Sequence, residues 1–202
     1  NNSGSLDENK KMQLYEVIYD DSLWLINLVE NLLSVTRIED GKMNLHLETE
    51  LIEEVINEAL NHISHKKDEH RIEVKANDEF ILAKIDAGLI IQVIINIVDN
   101  AIKYTPKGSM ISIETFKHKD FVETQIADDG AGISDKDKEK LFEMFYTVKH
   151  EVIDGRRGLG LGLALCKAII VAHGGNIAVK DNIPHGTIFS FTLPIKEVEI
   201  HE

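Results

Sequence analysis

One cysteine and three prolines in 202 residues, with aromatic residues at only 6%, exclude several kinds of protein at once. The lone thiol, Cys166, rules out an internal disulfide and a multi-cysteine zinc centre, and it fits a reducing compartment. Positive charge is scarce as well. With 22 Lys and Arg against 35 Asp and Glu, the net charge is −13, which argues against non-specific nucleic-acid binding. The longest apolar runs, residues 89–98 and 163–172, are broken by Gln92, Asn96 and Lys167. Both fall short of the roughly 18 residues a membrane-crossing helix needs. Residues 1–10 are polar, lack the charged head and apolar centre of a signal peptide, and read as a disordered or expression remnant. What remains is ordinary globular composition, 43% hydrophobic and 28% charged, in a chain long enough for a real core.

Residues 12–38 carry Leu14, Ile18, Leu25, Leu28, Leu32 and Val35 on alternating steps of four and three, with Asp21 as a single interruption. Gly41 supplies the stop. A helix of about 27 residues is roughly 40 Å long, longer than a small domain needs, so it reads as a helix that packs on partner helices. The alternative is a core helix of the domain that follows. Beyond Gly41 the pattern predicts strands at 44–50, 71–76, 80–85, 110–116, 121–127, 176–181 and 187–193. Helices are predicted at 51–62, 87–104, 135–145 and 161–173. This mixture of hairpins and crossovers predicts an α/β two-layer sandwich, one mixed sheet with helices on one face.

Three stretches carry chemistry. On a helix at about 100° per residue, Gln92, Asn96, Asp99, Asn100 and Lys103 share one arc, while Ile90, Ile94, Ile97, Val98 and Ala101 lie opposite. Asn96 and Asn100, one turn apart, aim two side-chain carbonyls at one place, and carbonyl oxygen is a ligand that Mg²⁺ accepts. Asp128-Asp129-Gly130-Ala131-Gly132-Ile133 closes a strand, where a carboxylate can accept from an exocyclic amine and the glycines let backbone approach a flat ring. Gly158-Leu159-Gly160-Leu161-Gly162-Leu163 opens a helix, whose N–H groups and dipole favour an anion. Its spacing is neither that of the dinucleotide fingerprint nor that of a P-loop. Upstream, residues 149–157 lack periodicity and read as a mobile lid, from which Arg156 or Arg157 can reach a terminal phosphate. Gly186-Thr187 begins the last strand, bringing a hydroxyl toward Asp128.

Together these tracts resemble the ATP-binding domain of sensor histidine kinases, within the wider ATPase superfamily of the Hsp90 chaperones, DNA gyrase and MutL. Asn96-Ile97-Val98-Asp99-Asn100-Ala101-Ile102-Lys103-Tyr104-Thr105-Pro106 is similar to the N box. Asp128 to Gly132, Gly158 to Leu163 and Gly186-Thr187 are similar to the three glycine boxes, and Leu141-Phe142-Glu143-Met144-Phe145 to the F box. All five occur in order. The tracts 36–42 and 163–175 look most like the potassium-responsive sensor kinases. The resemblance implies a domain at 45–197 that binds ATP with Mg²⁺, after the second helix of a dimerisation domain at 11–41. It further implies that Asn100 ligates the metal, Asn96 and Lys103 meet phosphate, Tyr104 lies against adenine, Asp128 binds the adenine amine and Thr187 supports it through water. The rest of the implied ATP-binding set is Gly130, Gly132, Ile133, Arg156, Arg157, Gly158, Leu159, Gly160, Leu161, Gly162 and Leu163. The parent would be a homodimeric, membrane-anchored sensor whose cytoplasmic kinase part passes phosphate to a response regulator.

One departure matters. The acceptor pattern of the family, His-Glu/Asp-x-Arg-x-Pro, occurs nowhere in the sequence, and His150-Glu151 is followed by Val152, Ile153 and Asp154. The acceptor helix is therefore expected to lie outside this chain, leaving no catalytic nucleophile within it. His62 and His65 are spaced for a metal pair but have no evident third ligand, and His173 reads as a helix C-terminal residue. A chaperone-type ATPase would need a carboxylate four residues before the metal asparagine, and that position is Asn96, an amide that cannot act as a base. The remaining alternative is a module of the same fold that binds ATP without transferring phosphate.

Overall fold

In the computed structural model the chain divides into two compact units, Asn1–Lys42 and Met43–Glu202. The described residues are 10–12, 14, 15, 17–19, 22, 25, 26 and 29 of the first unit, and 45–63, 70–75, 80–148 and 160–195 of the second. Those of the first unit are helical, Lys10 included, and Leu14, Ile18 and Leu25 of the apolar seam are exposed. The rest of the seam, Leu28, Leu32 and Val35, lies outside the described residues, as does the remainder of the N-terminal stretch.

The second unit runs β1 (Glu48–Leu51), α1 (Ile52–His62), β2 (Arg71–Lys75), β3 (Leu82–Ile85), α2 (Ala87–Tyr104), β4 (Met110–Lys117) and β5 (Phe121–Asp128). It continues with α3 (Asp135–Lys138), α4 (Gly162–Ala172), β6 (Ile177–Asp181) and β7 (Thr187–Pro194). Five strands form a mixed sheet in the order β2-β4-β5-β7-β6, with β2 parallel to β4 and the other pairs antiparallel. Register lines Val74, Ile113, Ile126, Phe189 and Val179 into one row across it. Burial alternates along β5 and β7, so one face of the sheet meets the helices. The two-layer expectation is met with one correction: β1 and β3 leave the main sheet and pair with each other as a separate antiparallel ribbon.

Helix α2 is the centre of the core. Ile90, Val93, Ile94, Ile97, Val98, Ala101 and Ile102 are buried, and α2 packs against both α1 and α4. Its 18 residues have a mean hydropathy of 1.3, enough by length and composition to cross a membrane. The apolar run 89–98 is thus the middle of a longer helix, while the run 163–172 lies in the shorter α4. A core helix passes the same test when its apolar face is sheathed by neighbours, and Val93, Ile97 and Val98 here are fully shielded from solvent. Asp86 caps its N-terminus by accepting the Leu89 N–H at 3.3 Å.

A second correction concerns the helix predicted at 135–145, which stops at Lys138. Tertiary structure overrides the helical periodicity: residues 140–146 follow as successive turns, with Glu143 N–H on the Lys140 carbonyl at 2.9 Å and Tyr146 N–H on the Glu143 carbonyl at 3.3 Å. Phe145 takes a left-handed φ of 62° and donates its N–H to the Gly160 carbonyl at 3.0 Å. Other boundaries differ from expectation by only a few residues, as helix and strand ends usually do.

Because Ile97 sits at the middle of α2 with no exposed surface, Ile97→Ala is expected to cost about 2–5 kcal/mol of stability. Urea unfolding measures it, and a loss below about 1 kcal/mol would contradict α2 as the central core helix.

Candidate nucleotide site

The helix-facing side of β5 ends in a carboxylate. Thr124, Ile126 and Asp128 share that face by period-two alternation, so the strand that buries Ile126 also buries Asp128, which is 8% exposed. Two backbone donors meet it there: Asp128 Oδ1 accepts the Gly130 N–H at 2.9 Å and the Thr187 N–H at 3.2 Å, and the Thr187 hydroxyl adds a side-chain hydrogen bond. Desolvation outweighs these bonds and holds the carboxyl above the usual aspartate range, with the neighbouring Asp129 adding repulsion. Thr187 is itself buried.

The geometry around this carboxylate requires two glycines. Gly186 has φ +113°, and a Cβ there would collide with the Asp128 carbonyl oxygen. A Cβ on Gly130 would lie 2.8 Å from Thr105 Cγ2 and 2.9 Å from Asp128 Oδ1. Close backbone approach thus brings the β5 turn against the end of α2 and the start of β7. The turn after β6 secures the arrangement: Asn182 Nδ2 donates to the Asp128 carbonyl at 2.8 Å, and His185 Nδ1 bonds the Asp129 carbonyl at 2.8 Å. Asp129 Oδ1 accepts the Met110 N–H at 3.0 Å, so this second aspartate anchors β4. Sequence reasoning missed Asn182 and His185, because nothing local marks contacts made more than fifty residues away in sequence.

On α2 the polar arc stands as expected. Asn96, Asn100 and Lys103 are half-buried, and Asp99 is exposed. Lys103 Nζ lies 5.2 Å from the centroid of the Tyr104 ring, whose phenol is pushed above its ordinary value by burial. Asn96 Nδ2 is shut off from solvent without a hydrogen-bond partner of ordinary geometry. Beside it lies the Cys166 thiol, a weak acceptor. Burial pushes that thiol up to about 12, which makes it inert as a nucleophile. Asn96 Oδ1 would lie 3.4 Å from a Cβ on Gly162, so the N-terminus of α4 opens directly onto the asparagine face of α2.

Gly160, with φ +70°, and Gly162 therefore stand at that helix start as expected. Leu161 is buried, so its side chain serves packing, while Leu163 is half-buried. Gly132 and Ile133 are half-buried and follow Gly130 in the turn after β5, with Gly132 at φ +77°. Arg156, Arg157, Gly158, Leu159 and His150 lie outside the described residues, as does the expected lid. His62 is exposed at the end of α1, His65 falls outside the described residues, and among the described residues no group of three His, Cys, Asp or Glu is placed to hold a metal. His173 is the C-cap of α4, as its sequence position suggested.

A carboxyl with a raised native value binds its proton more tightly folded than unfolded. Its contribution to stability is present below the unfolded value of about 4 and is lost as pH rises through the native one. Asp128→Asn removes the charge and keeps the acceptor oxygen for Gly130 and Thr187. The variant should be the more stable protein at pH 7, by an amount that shrinks toward pH 4. Chemical denaturation across that range is the check, and a wild type more stable than the variant at neutral pH would refute the desolvation argument.

Comparison with known proteins agrees with this arrangement. The family model described as "Histidine kinase-, DNA gyrase B-, and HSP90-like ATPase" matches residues 85–197. The sensor protein KdpD of Clostridium acetobutylicum is 42% identical over 193 residues, 96% of this chain and 21% of that protein. The sensor histidine kinase WalK of Bacillus subtilis is 32% identical over 94% of this chain and 32% of that protein. The chain thus spans about a fifth to a third of the length of these relatives. Among solved structures, the Acinetobacter baumannii histidine kinase AdeS superposes with a TM-score of 0.74 at 26% identity, covering 91% of this chain and 85% of that one. The catalytic domain of the histidine kinase ThkA superposes with a TM-score of 0.65 at 30% identity, covering 74% of this chain and 97% of that domain. On these grounds the chain belongs to the histidine kinase, DNA gyrase B and HSP90-like ATPase family and carries the ATP-binding catalytic domain of the sensor histidine kinases.

Proposed function

We propose that the site binds ATP with Mg²⁺, Asp128 reading the adenine and the asparagine face of α2 with the start of α4 taking the phosphates. The observation that carries this reading is the convergence of a buried, hydrogen-bonded carboxylate, a solvent-shielded Asn96 amide beside only the weakly accepting Cys166 thiol, and a glycine-opened helix start within one unit. An ionised Asp128 can accept from an exocyclic amine, and Gly130, Gly132 and Ile133 follow it in the turn proposed to meet the adenine ring. Thr187 holds the carboxylate from behind through its hydroxyl and N–H. Tyr104 offers an aromatic face next to Lys103, whose ammonium supplies charge for phosphate. The donor set suits the metal: Asn100 presents a hard amide oxygen one turn from Asn96, and a Mg²⁺ ion there would neutralise phosphate charge. The N–H groups of Gly160, Gly162 and Leu163 at the start of α4 favour the same anion. Arg156, Arg157, Gly158 and Leu159 complete the proposed set.

The reaction proposed is transfer of the γ-phosphate to a histidine of a dimerisation domain and then to an aspartate of a response regulator. Such transfer relies on positioning and charge stabilisation, so a chain without the acceptor pattern binds nucleotide and does not label itself. The solved complex of ThkA with the response regulator protein TrrA, which covers 96% of this chain at 25% identity, supports the regulator as partner. The parent proposed is a homodimeric, membrane-anchored sensor with this domain on the cytoplasmic side, a reading supported by likeness to a sensor protein, KdpD. The stretch 11–41, proposed as the second dimerisation helix, and the proposed domain at 45–197 would be the corresponding parts.

Asp128→Asn should weaken Mg-ATP binding by roughly 10- to 150-fold, the worth of a charge-assisted hydrogen bond. Asn100→Ala should abolish the magnesium dependence while leaving adenosine binding nearly intact. Calorimetric titration tests both; unchanged affinity in the first variant, or equal magnesium dependence in the second, overturns the corresponding role. Incubation with γ-labelled ATP should leave this chain unlabelled and label an added domain carrying the acceptor histidine. Acid-labile label on His150 would contradict the assignment.

A further inference from the structure

Three contacts show that α2 and α4 run antiparallel. Gly162 faces Asn96, the Cys166 thiol lies 3.8 Å from the Val93 carbonyl, and His173 meets Asp86. The first contact is at the proposed phosphate end, and the last is at the far end of α4, 11 residues away. There the geometry is directional. His173 Nε2 accepts the Asp86 N–H at 3.1 Å, and His173 Nδ1 bonds the Ile169 carbonyl at 2.8 Å. An amide N–H can only donate and a carbonyl only accept, so the ring carries its proton on Nδ1. Asp86 itself is doubly occupied, Oδ1 capping α2 through Leu89 and Oδ2 accepting the His46 N–H at 3.1 Å.

We propose that His173 is a positioning residue for the nucleotide site, locking α4 in axial register against α2 so that the Gly160–Gly162 start stays opposite Asn96 and Asn100. The apolar seam between the helices, with Val93, Ile97, Leu165 and Ile169 buried, opposes their separation. Apolar attraction is itself non-directional. The thiol contact is too weak to set register. The Asp86 to His173 bond is a directional link of the seam, and a helix of this length transmits an axial shift from one end to the other. A slip here would move phosphate-binding N–H groups and leave the Asp128 pocket, built on β5 and β7, in place. The inference rests on the nucleotide reading above.

The test uses the whole chain with His173→Asn and His173→Gln. Asparagine is tolerated at a helix C-terminus; its amide can reach the Ile169 carbonyl and stops short of the Asp86 N–H. Glutamine reaches as far as Nε2 and can restore the acceptor. Mg-ATP and adenosine are titrated by calorimetry where circular dichroism shows each protein folded. His173→Asn is expected to weaken Mg-ATP about tenfold and leave adenosine unchanged, with His173→Gln close to wild type for both. Equal weakening of both ligands, or of neither, in His173→Asn would make His173 structural only and overturn the proposal. Should His173→Asn fail to fold, His173→Gln decides by the same comparison: it must keep both affinities, and a loss for both ligands or for adenosine alone overturns the proposal. Wild-type protein that binds neither ligand overturns the nucleotide reading, and the proposal with it.

Discussion

A carboxylate held away from water is the constraint around which the catalytic unit is arranged. Burying Asp128 costs free energy that an exposed aspartate would not pay, and the fold meets part of that cost with the Gly130 and Thr187 N–H groups. The Thr187 donor comes close because Gly186 adopts a left-handed backbone and leaves no Cβ against the Asp128 carbonyl. The pairing of β5 with β7 and the turn holding Asn182 and His185 bring further hydrogen bonds to the same corner. The net effect remains a carboxyl shifted toward its neutral form, and in the proposed role a donor-bearing ligand would relieve the cost of its charge.

Helix α2 shows how packing and chemistry share one element. Its apolar face is sealed between α1 and α4, which fixes the rotation of the helix and therefore the direction of the opposite arc. Asn96 and Asn100 face where they do because Ile90, Ile94, Ile97 and Val98 are buried. The same packing holds α4 beside that arc, with the Asp86 to His173 bond proposed to set its register, so the two proposed phosphate-binding elements are carried by packed helices.

Much of this was legible in the sequence for identifiable reasons. Alternation in β5 and β7 and the 3.6-residue period of α2 report directly on burial, and both elements fall close to where they were expected. The glycine tracts were readable because few other residues fit such turns. Periodicity failed at 139–145, where Met144 and Phe145 satisfy a helical pattern yet are exposed in turns tied to Gly160. It also failed to separate the β1–β3 ribbon from the main sheet, since pairing partners are set by topology and not by local pattern. The Asp86 to His173 bond spans 87 residues and left no local trace.

The most direct test of the account is a titration with Mg-ADP followed by two-dimensional NMR of the amide groups. Binding in the site described predicts the largest shifts at Gly130, Gly132, Gly160, Gly162 and Thr187, together with the side-chain amides of Asn96 and Asn100. The β1–β3 ribbon should be nearly unaffected. Shifts concentrated outside these elements, or none at saturating nucleotide, would contradict the claim that the Asp128 pocket and the α2–α4 face form one nucleotide site.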